Sequence, residues 1–170
     1  MTDVRFVRDL MTVGVFTCPA NTLVPDIARL MIEHGLEAVA VLDHEGHAVG
    51  MISQHELVQS YSREDCRSLT AEQIMREDIP QIPPDIPLTA AVQIMQDQGV
   101  RVLYLMHNSD GIQYPAAMLS YRHVLRHLAA QEPSDLKDLG IHAQRESPLE
   151  TFIKRRDEAR QRALSQKKEE

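Results

Sequence analysis

Two short stretches place a hydroxyl and an ionisable group three residues apart at the start of an apolar-striped segment. They are Gly50-Met51-Ile52-Ser53-Gln54-His55-Glu56 and Ala117-Met118-Leu119-Ser120-Tyr121-Arg122-His123. At the first turn of a helix such a pair has two uses. The free backbone amides there suit a phosphate, and a carboxylate beside them accepts two hydrogen bonds from a diol. The Ser-x-x-Glu spacing is equally a capping box, with Ser53 at the N-cap and Glu56 three residues on. The pattern leaves both uses open. His123 cannot accept a diol bidentately, so Ser120 is expected to act as a simple helix cap.

Other residues with chemical potential are weaker signals. His44, Glu45 and His47 crowd one stretch, and His123 and His127 stand one helical turn apart. Histidine and carboxylate at short spacing suit Zn²⁺ or Ni²⁺. Polar residues are also expected in a hairpin turn, where His44 and His47 fall, so no metal site is expected. Cys18 and Cys66 form neither a disulfide framework nor a CxxC metal motif, and Cys18 reads as a buried structural thiol. GxSxG, HExxH, P-loop and GxGxxG sequences are all missing. The chain therefore reads as a non-enzyme without catalytic residues.

The elements that must position these groups occur twice. With the chain slid against itself by about 64 residues, Asp9-Leu10-Met11 falls on Gln73-Ile74-Met75, and Pro19 falls on Pro83. Val24, Ile27, Ala28 and Met31 fall on Leu88, Ala91, Val92 and Met95, and Gly35 falls on Gly99. After the next turn the offset grows to about 67 residues, so Gly50 to Ser53 meet Ala117 to Ser120. The extra residues lie in the stretch 107–114, where an insertion belongs in a turn. Each unit reads as a short extended segment (15–18, then 79–82), an amphipathic helix, two apolar strands and a second helix. Pro80 demotes the second extended segment to an edge or irregular strand. Asn21 or Thr22, and then Asp85, are the expected helix caps, and the two glycines are the expected helix stops. The second helices are expected over 54–61 and 121–130. One unit alone buries too little surface to be stable. The fold class is therefore α/β, an α+β sandwich of two β-α-β-β-α repeats with pseudo-two-fold symmetry and a C-terminal helix.

Composition narrows the setting. The 170 residues are 43% hydrophobic and 25% charged, which excludes wholesale disorder. No apolar run approaches the length of a membrane span, and the first residues lack a signal-peptide pattern, so a cytoplasmic protein is expected. A formal net charge of −7 and the absence of Trp argue against nucleic acid as a partner. Paired methionines (Met11 and Met75, Met31 and Met95, Met51 and Met118) read as adaptable core residues.

The ordered set resembles the cystathionine-β-synthase (CBS) domain, present as a tandem pair known as a Bateman module. The resemblance rests on Val7-Arg8-Asp9-Leu10-Met11-Thr12 with its weaker copy 71–76, on Leu30 to Leu36, and on Val41 to Ser53. It assigns residues 5–62 to repeat 1, 69–130 to repeat 2, and 131–170 to a linker and a charged helical tail. Such pairs are regulatory or sensory modules, often dimeric. They bind adenosine compounds (AMP, ADP, ATP or S-adenosylmethionine) between the repeats as regulatory ligands, with no obligatory cofactor. By resemblance, Ser53 and Glu56 would hold a ribose, with Thr17, Met51 and His55 around them and Arg101 toward phosphate. Ser120, Arg122 and His123 are the second-copy counterparts. Glu56 stands where the family prefers Asp, Ala117 replaces a glycine, and Ala40 and Tyr104 replace a frequent proline. A stand-alone pair implies an unidentified effector protein as its output. The alternative is an interaction scaffold whose nucleotide sites have decayed, acting through its dimer face and tail. In that tail, Ser147-Pro148 is expected to open a helix docked by Phe152 and Ile153.

Overall fold

The computed structural model describes residues 5–131 and residue 135; the tail helix expected from Ser147 onward lies outside them. In chain order the elements are α1 (Val7–Leu10), β1 (Thr12–Val13), β2 (Thr17–Pro19), α2 (Val24–His34), β3 (Ala38–Leu42), β4 (Ala48–Ser53) and α3 (Gln54–Ser60). A 3₁₀ turn (Cys66–Ser68) leads to α4 (Ala71–Ile74), α5 (Leu88–Gln98), β5 (Val102–Ser109), β6 (Ile112–Ser120) and α6 (Tyr121–Ala129). The apolar periodicity made the amphipathic helices: α2 buries Val24, Ile27 and Met31, and α5 buries Leu88, Ala91 and Met95. Gly35 and Gly99 end them at φ of 60° and 64°, the left-handed conformation that favours glycine.

The expected side-chain caps of α2 and α5 do not form. Their N-caps are Leu23 and Pro87. The first helical amides instead donate across the molecule, Val24 to the Leu69 carbonyl at 2.9 Å and Leu88 to the Arg5 carbonyl at 2.8 Å. A backbone acceptor from the other repeat satisfies the orphan donor, so no Asn, Thr or Asp is needed there.

Two three-stranded sheets result, ordered β2-β3-β4 and β1-β6-β5. The same rung runs across each. In the first, Thr17 pairs with Ala40, Ala40 with Met51, and Met51 with Arg76. In the second, Gln81 pairs with Tyr104, Tyr104 with Met118, and Met118 with Thr12. Each residue of one rung is the repeat partner of a residue in the other. Pro80 limits the second extended segment to the single bridge at Gln81, as its missing donor dictates. The β5–β6 hairpin is longer than the sequence suggests. Its strands run to Ser109 and Ile112 and turn through Asp110 (φ 53°) and Gly111 (φ 83°), both left-handed. A two-residue turn of that kind matches strand twist.

The sequence repeat and the structural half do not coincide. The segment leading each repeat crosses to the other half. Val7, Leu10 and Met11 lie in the core of the second half with Leu88, Met95, Leu103 and Leu119. Ala71, with Ile74 and Met75 beside it, packs in the first half on Ile27, Val39 and Ile52. Gly50 is fixed by this crossing. A Cβ on it would stand 2.6 Å from Met75 Sδ and 2.8 Å from the Arg76 carbonyl oxygen. A third cluster joins the two sheets: Ala38, Ala40 and Met51 of one against Val102 and Tyr104 of the other.

Candidate functional site

The β4–α3 junction brings Ser53 and Glu56 together. Glu56 Oε2 accepts from the Ser53 backbone N–H at 2.8 Å and also from the Ser53 hydroxyl, while Ser53 Oγ accepts from the His55 N–H at 3.1 Å. The capping box is therefore formed. Both bonds to the carboxylate fall on Oε2. His55 is exposed, and its backbone N–H is the group that meets Ser53. Thr17 is exposed and Met51 is buried, one on either side of Ala40 on the rung.

The β6–α6 junction has the same backbone and a different chemistry. His123 is 6% exposed, and its Nδ1 accepts from the Ser120 backbone N–H at 2.9 Å. That bond requires an unprotonated Nδ1, so Nε2 carries the proton and donates to Thr12 Oγ1 at 2.7 Å. Ser120 is the N-cap as expected, but the imidazole does more than close the cap: it ties α6 to the crossed segment of repeat 1. Arg122 reaches away from this junction, and its Nη1 donates to the Gly35 carbonyl at 3.2 Å. A cation there complements the C-terminal end of α2. Arg101 is exposed at the start of β5, and its carbonyl accepts from the Tyr121 N–H at 3.0 Å, against the first turn of α6.

Three features were beyond reach of the sequence. The first is the state of Tyr104, whose ring fills the space between the sheets with 0% exposure. Its hydroxyl is buried without a hydrogen-bond partner, and burial, with the charges of Glu56 and Cys18 adding to it, pushes the phenol pKa far up. The second is Glu37, the repeat partner of Arg101, whose Oε2 is also buried and unpartnered. It lines an open groove of about 490 Å³ between α2, α3 and α6, beside Ile32, Leu57, Val58, Arg122 and Leu125. The third is Asp43 in the β3–β4 turn. Its Oδ1 accepts from the Glu45 and His47 backbone N–H groups, each at 2.9 Å. Desolvation is the largest single influence and raises this carboxyl, but the backbone bonds and the His47 charge together outweigh it and hold the pKa below the usual range. The sequence drew attention to His44, Glu45 and His47; the backbone turns Asp43 into the group and leaves His44 89% exposed. Cys18 is buried as expected, and burial pushes its thiol pKa up against a smaller opposing bond with Thr22.

Two β-α-β-β-α units, packed sheet to sheet about a pseudo-two-fold and each ending in a serine-capped strand-to-helix junction, define a tandem two-fold module. The CBS domain pattern matches residues 7–63 and again 71–130, and the chain belongs to the CBS domain family. A relative from Acidianus ambivalens, an uncharacterized 17.7 kDa protein, is 30% identical over 122 residues, 72% of each chain. An uncharacterized protein of Methanopyrus kandleri is 25% identical over 76% of this chain and 65% of its own. Among solved structures, the CBS domain pair of protein MJ0100, in complex with 5′-methylthioadenosine and S-adenosyl-L-methionine, superposes with a TM-score of 0.65. It is 16% identical and covers 76% of this chain and 100% of its own. An uncharacterized conserved protein from Pyrococcus horikoshii gives 0.67 at 16% identity, over 78% and 98% of the two chains. At such identities the likeness is one of fold. No helix among the described residues is long and apolar enough to cross a membrane.

Proposed function

We propose that this regulatory CBS-pair protein binds an adenosine compound (AMP, ADP, ATP or S-adenosylmethionine) at the β4–α3 junction and thereby modulates an effector protein. The observation that carries the reading is the Ser53–Glu56 pair. Both bonds to the carboxylate fall on Oε2, so Oε1 is the oxygen a ribose diol would find. The α3 helix has 7 residues, and its dipole contributes less than these side chains. The adenosine ligands of the MJ0100 pair support the ligand class. Arg101 is the cation offered to a phosphate, and the β6–α6 junction is not a ribose site, because His123 is already engaged on both ring nitrogens.

The same reading includes a homodimer in the cytoplasm. Ile32, Val58 and Leu125, at 82%, 74% and 62% exposure, line the groove between α2, α3 and α6. An isologous contact sets that face against itself. Glu37 and Arg122 also line the groove, so both signs of charge stand at this face.

One observation favours the scaffold reading instead: Tyr104 occupies the space between the sheets beside this junction. A thermal-shift screen against AMP, ADP, ATP, S-adenosylmethionine and 5′-methylthioadenosine separates the two. A ligand at about 100 times its dissociation constant adds roughly 2.7 kcal/mol, a shift of several degrees. A shift with one adenosine compound, lost in Glu56→Ala, supports the sensor. No shift with any of them at millimolar concentration supports the scaffold.

A further inference from the structure

We propose that the β3–β4 turn is a binding site for a divalent first-row transition ion, held by Asp43, Glu45 and His47. One ligand atom from each lies within 4.8 Å of the others. His47 Nδ1 stands 3.4 Å from Asp43 Oδ2 and 3.6 Å from Glu45 Oε2. Ligand atoms about 2.1 Å from a tetrahedral zinc ion are separated by roughly 3.4 Å, so these spacings leave room for an ion with little rearrangement. The two backbone bonds to Asp43 Oδ1 point the other carboxylate oxygen at the imidazole. The turn thus presents a nitrogen and two carboxylate oxygens on one side, a donor set that favours Zn²⁺ or Ni²⁺ over hard cations. His44 Nε2 lies 3.7 Å from Glu45 Oε1 and is a mobile candidate for a fourth ligand, water being the other.

The site belongs to the first half alone. The second half closes its hairpin with Asp110-Gly111, and among the described residues it brings no such group together. It is also separate from the adenosine junction, because β4 places the turn and Ser53 at its opposite ends, roughly 17 Å apart. A Cβ built onto Gly46, within the turn, would stand 4.0 Å from Ile112 Cγ2, so the turn faces the second hairpin.

The test is calorimetric titration of the full chain with ZnCl₂ and NiCl₂, with MgCl₂ and CaCl₂ as hard-cation controls. The site predicts Zn²⁺ binding of micromolar order at one ion per chain. His47→Ala and Asp43→Asn should each weaken it at least tenfold, and His127→Ala should leave it unchanged. The turn is partly exposed and the amide oxygen introduced by Asp43→Asn can still accept the two backbone bonds, so the metal-free variants should stay folded, which circular dichroism checks. No Zn²⁺ binding up to millimolar concentration overturns the proposal. So does Zn²⁺ binding that His47→Ala leaves intact, or Ca²⁺ binding as tight as that of Zn²⁺.

Discussion

On the middle rung of the first sheet stands Ala40; on the middle rung of the second stands Tyr104. The strands around them pair in the same order and the same sense. At the third residue of the following helix the first half carries Glu56 and the second His123, each accepting from the N-cap amide three residues before it. Where the crossed segment passes over the sheet, the first half has Gly50 and the second has Ala117. The backbone two-fold therefore survives while the side chains that fill it diverge. The first half keeps a carboxylate at its junction. The second half has turned its junction into an internal tie from His123 to Thr12 and sends a tyrosine into the space between the sheets.

The largest effect should come from the residue that most separates the halves. Tyr104→Ala opens a cavity between the sheets and should cost about 3–5 kcal/mol in urea denaturation. Tyr104→Phe removes only the unpartnered hydroxyl and should be neutral or stabilising. A Phe variant as damaged as the Ala variant would show that the hydroxyl has a partner in solution.

Next comes the tie. His123→Ala leaves the buried Ser120 amide without its acceptor and should cost roughly 1–3 kcal/mol. The matching Glu56→Ala removes an ordinary cap and should cost about 1 kcal/mol. Equal losses would erase the distinction drawn between a structural and a free junction. The glycine contrast should be of similar size: Gly50→Ala forces a Cβ onto Met75 and the Arg76 carbonyl, at about 1–3 kcal/mol. Ala117→Gly should cost only about 0.5–1 kcal/mol. The smallest effect is kinetic. Cys18 is 3% exposed with a raised thiol pKa, whereas Cys66 is partly exposed. Iodoacetamide should label Cys66 in the native protein and Cys18 only after unfolding, which mass spectrometry would read directly.

Much of this fold was legible in the linear order of residues. The stripe Val24, Ile27, Met31 and its copy Leu88, Ala91, Met95 defined two buried helix faces, and Gly35 and Gly99 marked where they stop. Pro80 foretold the weak edge of the second sheet. The caps of α2 and α5 were not legible there, because their acceptors are backbone carbonyls more than 40 residues away. Local sequence carries no signal for such a partner. The Ser53–Glu56 box was readable because both partners lie in one turn of chain. The Thr12–His123 bond was not, because 111 residues separate its ends.

The sequence by itself determined the repeat, the element types and the serine-led junctions, since these depend on spacings within about ten residues and on the conformational limits of glycine and proline. Only the tertiary structure decided that the leading segments cross between halves, and that Gly50 must yield to Met75. It also decided that Tyr104 has no partner, and that Asp43 rather than His44 joins Glu45 and His47. Those outcomes depend on which surfaces meet when two sheets pack face to face, a fact stored in no single stretch of the chain.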